Sequence, residues 1–293
     1  MTTPAATSRA VLTTACAEVG LDAAGAEPVR LAENSIWRLA DGFVARIARP
    51  GQLAAAVREV LVARWLETNQ VPAVRALDLP QPVTAEDHPV TFWRELPPHK
   101  NGSVADVVSL LKQLHALPRP DLDLGALDPF VRVADRIDAA FTLAEGDRQW
   151  LRDRLRDLQA QWAERPAGLP ECVVHGDAWV GNVAVTADGP LLLDFERASF
   201  GPPEWDLVST AVKLTTTGGV HPAEYAEFCD AYGTDVTQWR GYELLAGARE
   251  LRMTTYAAQH AASSPEWRRE AQYRVDCLRG RAGARPWQWK GIM

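Results

Sequence analysis

From Val173 to Glu196 the chain reads VVHGDAWVGNVAVTADGPLLLDFE, an apolar run into which His175, Asp177, Asn182, Asp194 and Glu196 are set. Polar side chains among so many valines and leucines must be partnered or gathered at a site, because burying them unpaired is costly. The Thr-Ala-Asp-Gly-Pro stretch at 186–190 is a turn signal between two apolar runs, so a hairpin is predicted there. Centred near Asp188, that hairpin sets Asn182 opposite Asp194 across the ladder, with Cα atoms about 5 Å apart.

An amide oxygen beside a carboxylate suits Mg²⁺, which takes hard oxygen donors, keeps several waters and draws its remaining ligands from substrate phosphates. Asn182 and Asp194 are therefore the expected metal ligands of a nucleotide-phosphate site. Glu196 points to the same face if the strand continues, within reach of a second ion or its water. Asp177 lies in the glycine-containing loop that leads into the hairpin. A carboxylate there can orient a substrate hydroxyl and accept its proton, so Asp177 is the expected base. His175 is expected to shape that loop rather than to transfer protons.

The rest of the 293-residue chain narrows the partners. A net charge of -7 disfavours nucleic acid and anionic lipid and favours a cationic small molecule. No basic segment followed by an apolar one opens the chain and no run of 18 apolar residues occurs, so a cytoplasmic protein that does not engage a membrane is expected. Cys16, Cys172, Cys229 and Cys277 form no CxxC pair, which suggests neither a zinc site nor a disulfide framework. The other histidines show no ligand-like spacing, which argues against a hydrolase built on His and Asp ligands.

PVRLAENSIWRLA and GFVARIARP read as strands joined at Asp41-Gly42. LAAAVREVLVARWLETN reads as a helix with Leu53, Val57, Leu61 and Trp65 at the spacing of one helix face. VTFWREL is a further strand, and PPHKNG looks like a connection between lobes. Beyond it the pattern is mostly helical, as in SVADVVSLLKQLHAL and DRQWLRDRLRDLQAQWAER. The expected fold class is α+β, with an N-terminal lobe at 1–97 and a mostly helical C-terminal lobe at 98–293.

His175-Gly176-Asp177 to Asn182 and Asp194-Phe195-Glu196 resemble the catalytic loop and metal-binding segment of the aminoglycoside phosphotransferase and choline kinase family, which has a bilobal protein-kinase-like fold. The resemblance implies transfer of the γ-phosphoryl group of ATP, with GTP left open beside it, to a small-molecule hydroxyl. Asp177 would be the base and Asn182 and Asp194 would hold magnesium. Asp206, in ASFGPPEWDLV, matches the family's aspartate that braces the catalytic loop.

In such a lobe a basic residue on a strand holds phosphates and pairs with a glutamate on the next helix. Arg46 and Glu59 occupy those places. The family's usual lysine is absent, since the first lysine of the chain is Lys100, and this departure keeps open a silent kinase-like binding protein. The phosphate-covering segment AENSIW has no glycine, so Asn34 and Ser35 would supply its contacts. Trp93, Glu95 and Leu96 lie where backbone amides would receive adenine.

The acceptor half is the variable half of the family. Trp179 in the catalytic loop, Glu196, and Trp287 and Trp289 in the tail are its candidate contacts. Seven acidic residues against Lys213 and Arg240 between Glu204 and Glu243 favour a polycation. The implied enzyme, a monomer or homodimer, phosphorylates a basic antibiotic, an aminoglycoside or basic cyclic peptide, and so abolishes its binding. A housekeeping kinase of choline or a related metabolite is the runner-up.

Overall fold

The computed structural model describes residues 4–31 and 34–291. Ala32 and Glu33 of the phosphate-covering segment and the last two residues of the tail lie outside the described residues. In chain order there follow helix α1 (Pro4–Val19), strands β1 (Glu27–Leu31), β2 (Ser35–Arg38) and β3 (Phe43–Ile47), helix α2 (Leu53–Thr68), strands β4 (Val83–Ala85), β5 (His88–Arg94) and β6 (Lys100–Asn101), and helices α3 (Val104–His115), α4 (Val133–Asp138) and α5 (Glu145–Ala163). Strands β7 (Cys172–Val174), β8 (Val183–Thr186), β9 (Gly189–Leu192) and β10 (Ser199–Gly201) precede helices α6 (Glu204–Thr215), α7 (Pro222–Tyr232), α8 (Tyr242–His260) and α9 (Pro265–Leu278). None of the described helices is long and apolar enough to cross a membrane.

Backbone contacts divide the chain into two compact units, residues through Gly125 with 175–199, and 126–174 with 200–293. The lobe boundary expected after residue 97 falls inside the first unit. The segment read as a connection contains β6, which pairs with β8 through Lys100 and Asn101.

The first unit holds an antiparallel sheet in the order β1-β2-β3-β5-β4. Asp41 and Gly42 both take left-handed φ, 63° and 73°, as an Asp-Gly hairpin turn requires, and β2 and β3 pair across them. Alternation along β3 sends Ala45 and Ile47 into the core and turns Val44 and Arg46 to the opposite face. Helix α1 adds a layer that the strand pattern does not announce. Its Val11, Leu12, Ala15 and Cys16 share a core with Trp37, Ala45 and Phe92.

Helix α2 forms where expected. Ala56, Glu59, Val60, Ala63 and Leu66 are buried, whereas Leu53 and Leu61 are exposed and Val57 and Trp65 half-buried. The row at four-residue spacing is thus not the most buried one. Both rows of this alanine-rich helix are apolar enough to pass as inner, and the inner one carries a glutamate. Helix α3 begins at a capping box, with Ser103 Oγ accepting from Asp106 N–H at 3.2 Å and Ser103 N–H donating to Asp106 Oδ2 at 2.8 Å.

In the second unit α8 packs against α4, α5, α6 and α9. Start signals are plain in α7 and α9, where Pro222 and Pro265 occupy the first helical position behind His221 and Ser264. Trp287 and Trp289 stack at 5.5 Å between ring centroids and form a cluster with Cys277. They dock the tail into this unit, where both rings, expected as acceptor contacts, are buried.

Candidate active site

The hairpin β8–β9 forms, but its register is displaced from the expected one. Val183 pairs with Leu192 and Thr186 with Gly189, so the turn is centred ahead of Asp188. Asn182 is therefore level with Leu193, whose N–H donates to Asn182 O at 2.9 Å, and Asp194 lies one residue further on. A one-residue shift would send Asp194 to the other face of a continuing strand. Instead β9 ends at Leu192 and Asp194 adopts left-handed φ, 63°, which re-aims its side chain so that both residues line one cavity. That conformation costs a non-glycine residue about 1–2 kcal/mol, which its surroundings must offset.

The surroundings do so with fixed hydrogen bonds. His175 is fully buried, and its Nε2–H donates to Leu193 O at 2.9 Å while Nδ1 accepts from Asp177 N–H at 3.3 Å. Both ring nitrogens are engaged. The ring also packs on Phe195, 5.5 Å between centroids. Gly176 has φ 84°, and a Cβ there would sit 2.3 Å from Arg197 O, so only glycine lets the two segments approach.

Asn182 Nδ2 donates to Asp177 O at 2.8 Å, which turns its amide oxygen the other way. The buried Oδ1 of Asp194 accepts no hydrogen bond among the described residues, although Arg46 Nη1 lies 3.5 Å away. An oriented amide oxygen and an unsatisfied carboxylate oxygen are what a hard divalent cation takes. The residues present fit Mg²⁺.

Arg46 stands among acids. It pairs with Glu59, reaches Glu196 Oε2 at 3.1 Å, and donates to Asn34 Oδ1 at 2.8 Å when that amide is oriented by its hydrogen bonds. Burial pushes the Glu59 carboxyl up to about 7, with the charges of Asp194 and Glu196 adding to it against the pull of Arg46. The attraction of those carboxylates outweighs the burial of Arg46 and holds its pKa above the ordinary value. Glu196 also meets a second guanidinium, Arg197 Nε lying 3.5 Å from its Oε1, whereas among the described residues Asp194 has only the 3.5 Å approach of Arg46.

These residues line a cavity of about 510 Å³ together with Trp93, Glu95 and Leu96. Val29, Ile36, Val44, Val74 and Leu193 supply apolar walls of the kind that hold a flat base. Trp93 is both wall and core: it is buried, and its Nε1–H donates to Thr91 Oγ1 at 2.8 Å. The Glu95 N–H, one of the amides expected to meet adenine, is already given to Gly42 O at 2.7 Å. Arg38, which pairs with Glu95, also lines the cavity and was not among the expected residues. Its signal was alternation about the buried Trp37, which places Ile36 and Arg38 on one face.

Trp179 is 41% exposed, and its ring lies over Gly181, where a Cβ would meet it at 2.4 Å. Asp206 is fully buried in the first turn of α6, in the second unit with Trp287 and Trp289. The acidic run from Glu204 to Glu243 carries less free charge than its count suggests. Glu204 is buried with Asp206, Glu224 caps α7, and Asp235 accepts from Tyr225 Oη at 2.9 Å.

The chain matches the phosphotransferase enzyme family over residues 26–247. Among solved structures it is similar to a choline/ethanolamine kinase family protein from Mesorhizobium loti, at 19% identity over 95% of this chain and 94% of that one, with a TM-score of 0.65. Choline kinase LicA from Streptococcus pneumoniae aligns at 11% identity over 92% of this chain and 99% of that one, with a TM-score of 0.64. Aminoglycoside phosphotransferase APH(3'')-Id from Streptomyces rimosus aligns at 22% identity over 82% and 97%, with a TM-score of 0.56. These likenesses show the bilobal protein-kinase-like fold. A search of curated proteins finds no match.

Proposed function

Because this chain belongs to the phosphotransferase enzyme family, we propose that it moves the γ-phosphate of ATP to a hydroxyl of a cationic small molecule, a basic antibiotic in the first place. The observation that carries this reading is the pair Asn182 and Asp194 on one cavity wall, one amide turned outward by Asp177 and one carboxylate oxygen left without a donor. Mg²⁺ held by that pair would supply charge neutralisation for the triphosphate.

The chain's own residues do the rest. Arg46 offers a planar fork to phosphate oxygens, which Lys would meet as a point charge. Its partners Glu59 and Asn34 keep the fork in the cavity. The base would sit between the apolar walls, and with Glu95 N–H committed and Pro97 and Pro98 lacking one, Leu96 N–H is the donor this stretch can offer it. Asp177, with its amide held by His175 and its carbonyl by Asn182, would take the proton of the acceptor hydroxyl. Trp179 would present a ring to the acceptor cation. The lobes at 1–97 and 98–293 would divide nucleotide binding from acceptor binding. The Streptomyces rimosus relative has been solved with ADP and streptomycin, a nucleotide and a basic antibiotic on this fold.

The test is phosphate transfer from Mg·ATP to a panel of basic antibiotics and amino alcohols by the intact protein and by Asp177→Asn. Removal of a general base should lower turnover at least about 10²-fold. Equal rates would refute the role of Asp177. A product from choline-type alcohols alone would move the reading to a housekeeping kinase, and nucleotide binding with no transfer would move it to a silent binding protein.

A further inference from the structure

Segment 193–198 belongs to no strand or helix, yet it must hold Asp194 in a left-handed conformation. Before Asp194, Leu193 is pinned on both sides, its N–H to Asn182 O and its carbonyl to His175. After Asp194, the Glu196 carboxylate is held by Arg46, and the Glu196 carbonyl accepts from Arg58 Nη1 at 3.1 Å. Arg58 comes from α2, adjacent to Glu59, and its Nε is buried without a partner, which is not the environment of a solvated surface arginine.

We propose that Arg58 is a positioning residue for the metal-binding segment, holding the Glu196 carbonyl so that Asp194 keeps its carboxylate on the cavity. This rests on the reading of Asn182 and Asp194 as the ligands of a divalent ion. The two arginines differ in what they are free to do. Arg46 holds Glu196 by its side chain and is the residue proposed to turn to phosphate when nucleotide enters. Arg58 holds a backbone carbonyl and touches no phosphate in that reading, so its bond can persist through the exchange. Hydrogen bonds from a charged donor are the stronger ones, and partners that orient metal ligands commonly change metal affinity about 10–100-fold when removed.

Mn²⁺ is the probe, titrated by paramagnetic resonance into the full chain saturated with a non-hydrolysable ATP analogue. In Arg58→Gln the Mn²⁺ dissociation constant is expected to rise about 10-fold, while metal-free affinity for the analogue stays within about 2-fold. Arg58→Lys, which keeps a charged donor, should recover part of the loss. Unchanged Mn²⁺ binding in Arg58→Gln, or an equal loss of metal-free nucleotide affinity, would overturn the proposal while leaving the metal site standing. No Mn²⁺ bound by the intact chain would overturn the metal reading and the proposal together. A melting temperature lowered in both variants, with no recovery of Mn²⁺ binding by lysine, would make Arg58 a stabilising residue and also overturn it.

Discussion

Two arrangements of arginine and glutamate, one in each compact unit, use the same residue types to opposite ends. Three carboxylates stand around Arg46, Glu196 also meeting Arg197, and the buried Oδ1 of Asp194 accepts no hydrogen bond among the described residues. In the second unit the buried carboxylates Glu250 and Glu270 are each paired with an arginine. Glu250 accepts from Arg285 Nη2 at 2.6 Å on one oxygen and 2.8 Å on the other, and from Thr216 Oγ1 at 2.6 Å. On α9, Glu270 Oε1 accepts from Arg274 Nε at 2.9 Å and from Lys290 N–H at 3.0 Å, while Arg274 lies over the Trp289 ring. Paired carboxylates of this kind fix a terminus, whereas the group around Arg46 lines a cavity and keeps one buried carboxylate oxygen without a hydrogen bond among the described residues.

The sharpest way to break this contrast is to unpair the closed cluster. Glu250→Ala leaves Arg285 and Thr216 without their acceptor, and breaking a buried pair costs about 3–5 kcal/mol. Arg285 is 42% exposed at its side chain, so the loss should fall near about 3 kcal/mol or below. Urea unfolding reads it, and transfer activity per folded molecule should be unchanged. A loss of activity at full stability would show that the tail cluster is part of the site after all.

The open cluster should answer to pH instead. The folded-state pKa of Glu59 is raised to about 7 by burial, so the folded chain favours the protonated carboxyl. The stability this contributes is fully present below the unfolded value near 4.5 and is lost as pH rises through about 7. Melting of the nucleotide-free protein should therefore weaken between those values by on the order of 1–3 kcal/mol, and Glu59→Gln should flatten the dependence. If the slope is the same in both, burial does not hold the Glu59 carboxyl above its ordinary value.

Much of the site was legible because its chemistry is carried by spacing within one short stretch. Asn182, Asp194 and Glu196 do line a cavity with Arg46 and Glu59. What spacing could not supply was the register, since the ladder is displaced and a single left-handed residue, Asp194, restores the convergence. Nor could it separate the acids that bind from those that cap: Glu224 and Asp235 serve helix ends, and Glu204 and Asp206 are buried. The tail rings Trp287 and Trp289 pack with Cys277, and aromatic character alone does not distinguish a lining from a core.

Helix α2 carries the contrast to its smallest scale. Its buried row sets one glutamate, Glu59, among Ala56, Val60, Ala63 and Leu66, while Leu53 and Leu61 are exposed. The Glu59 carboxylate meets Arg46 from this row, and the alanines at 56 and 63 let the helix lie close. Leu61→Gln should then change stability by no more than about 0.5 kcal/mol, whereas Leu66→Ala on the inner row should cost about 2–5 kcal/mol. Chemical denaturation of the two variants decides which row is buried. A large loss at Leu61 with little at Leu66 would return the helix to the face that four-residue spacing suggests, and would take Glu59 away from Arg46.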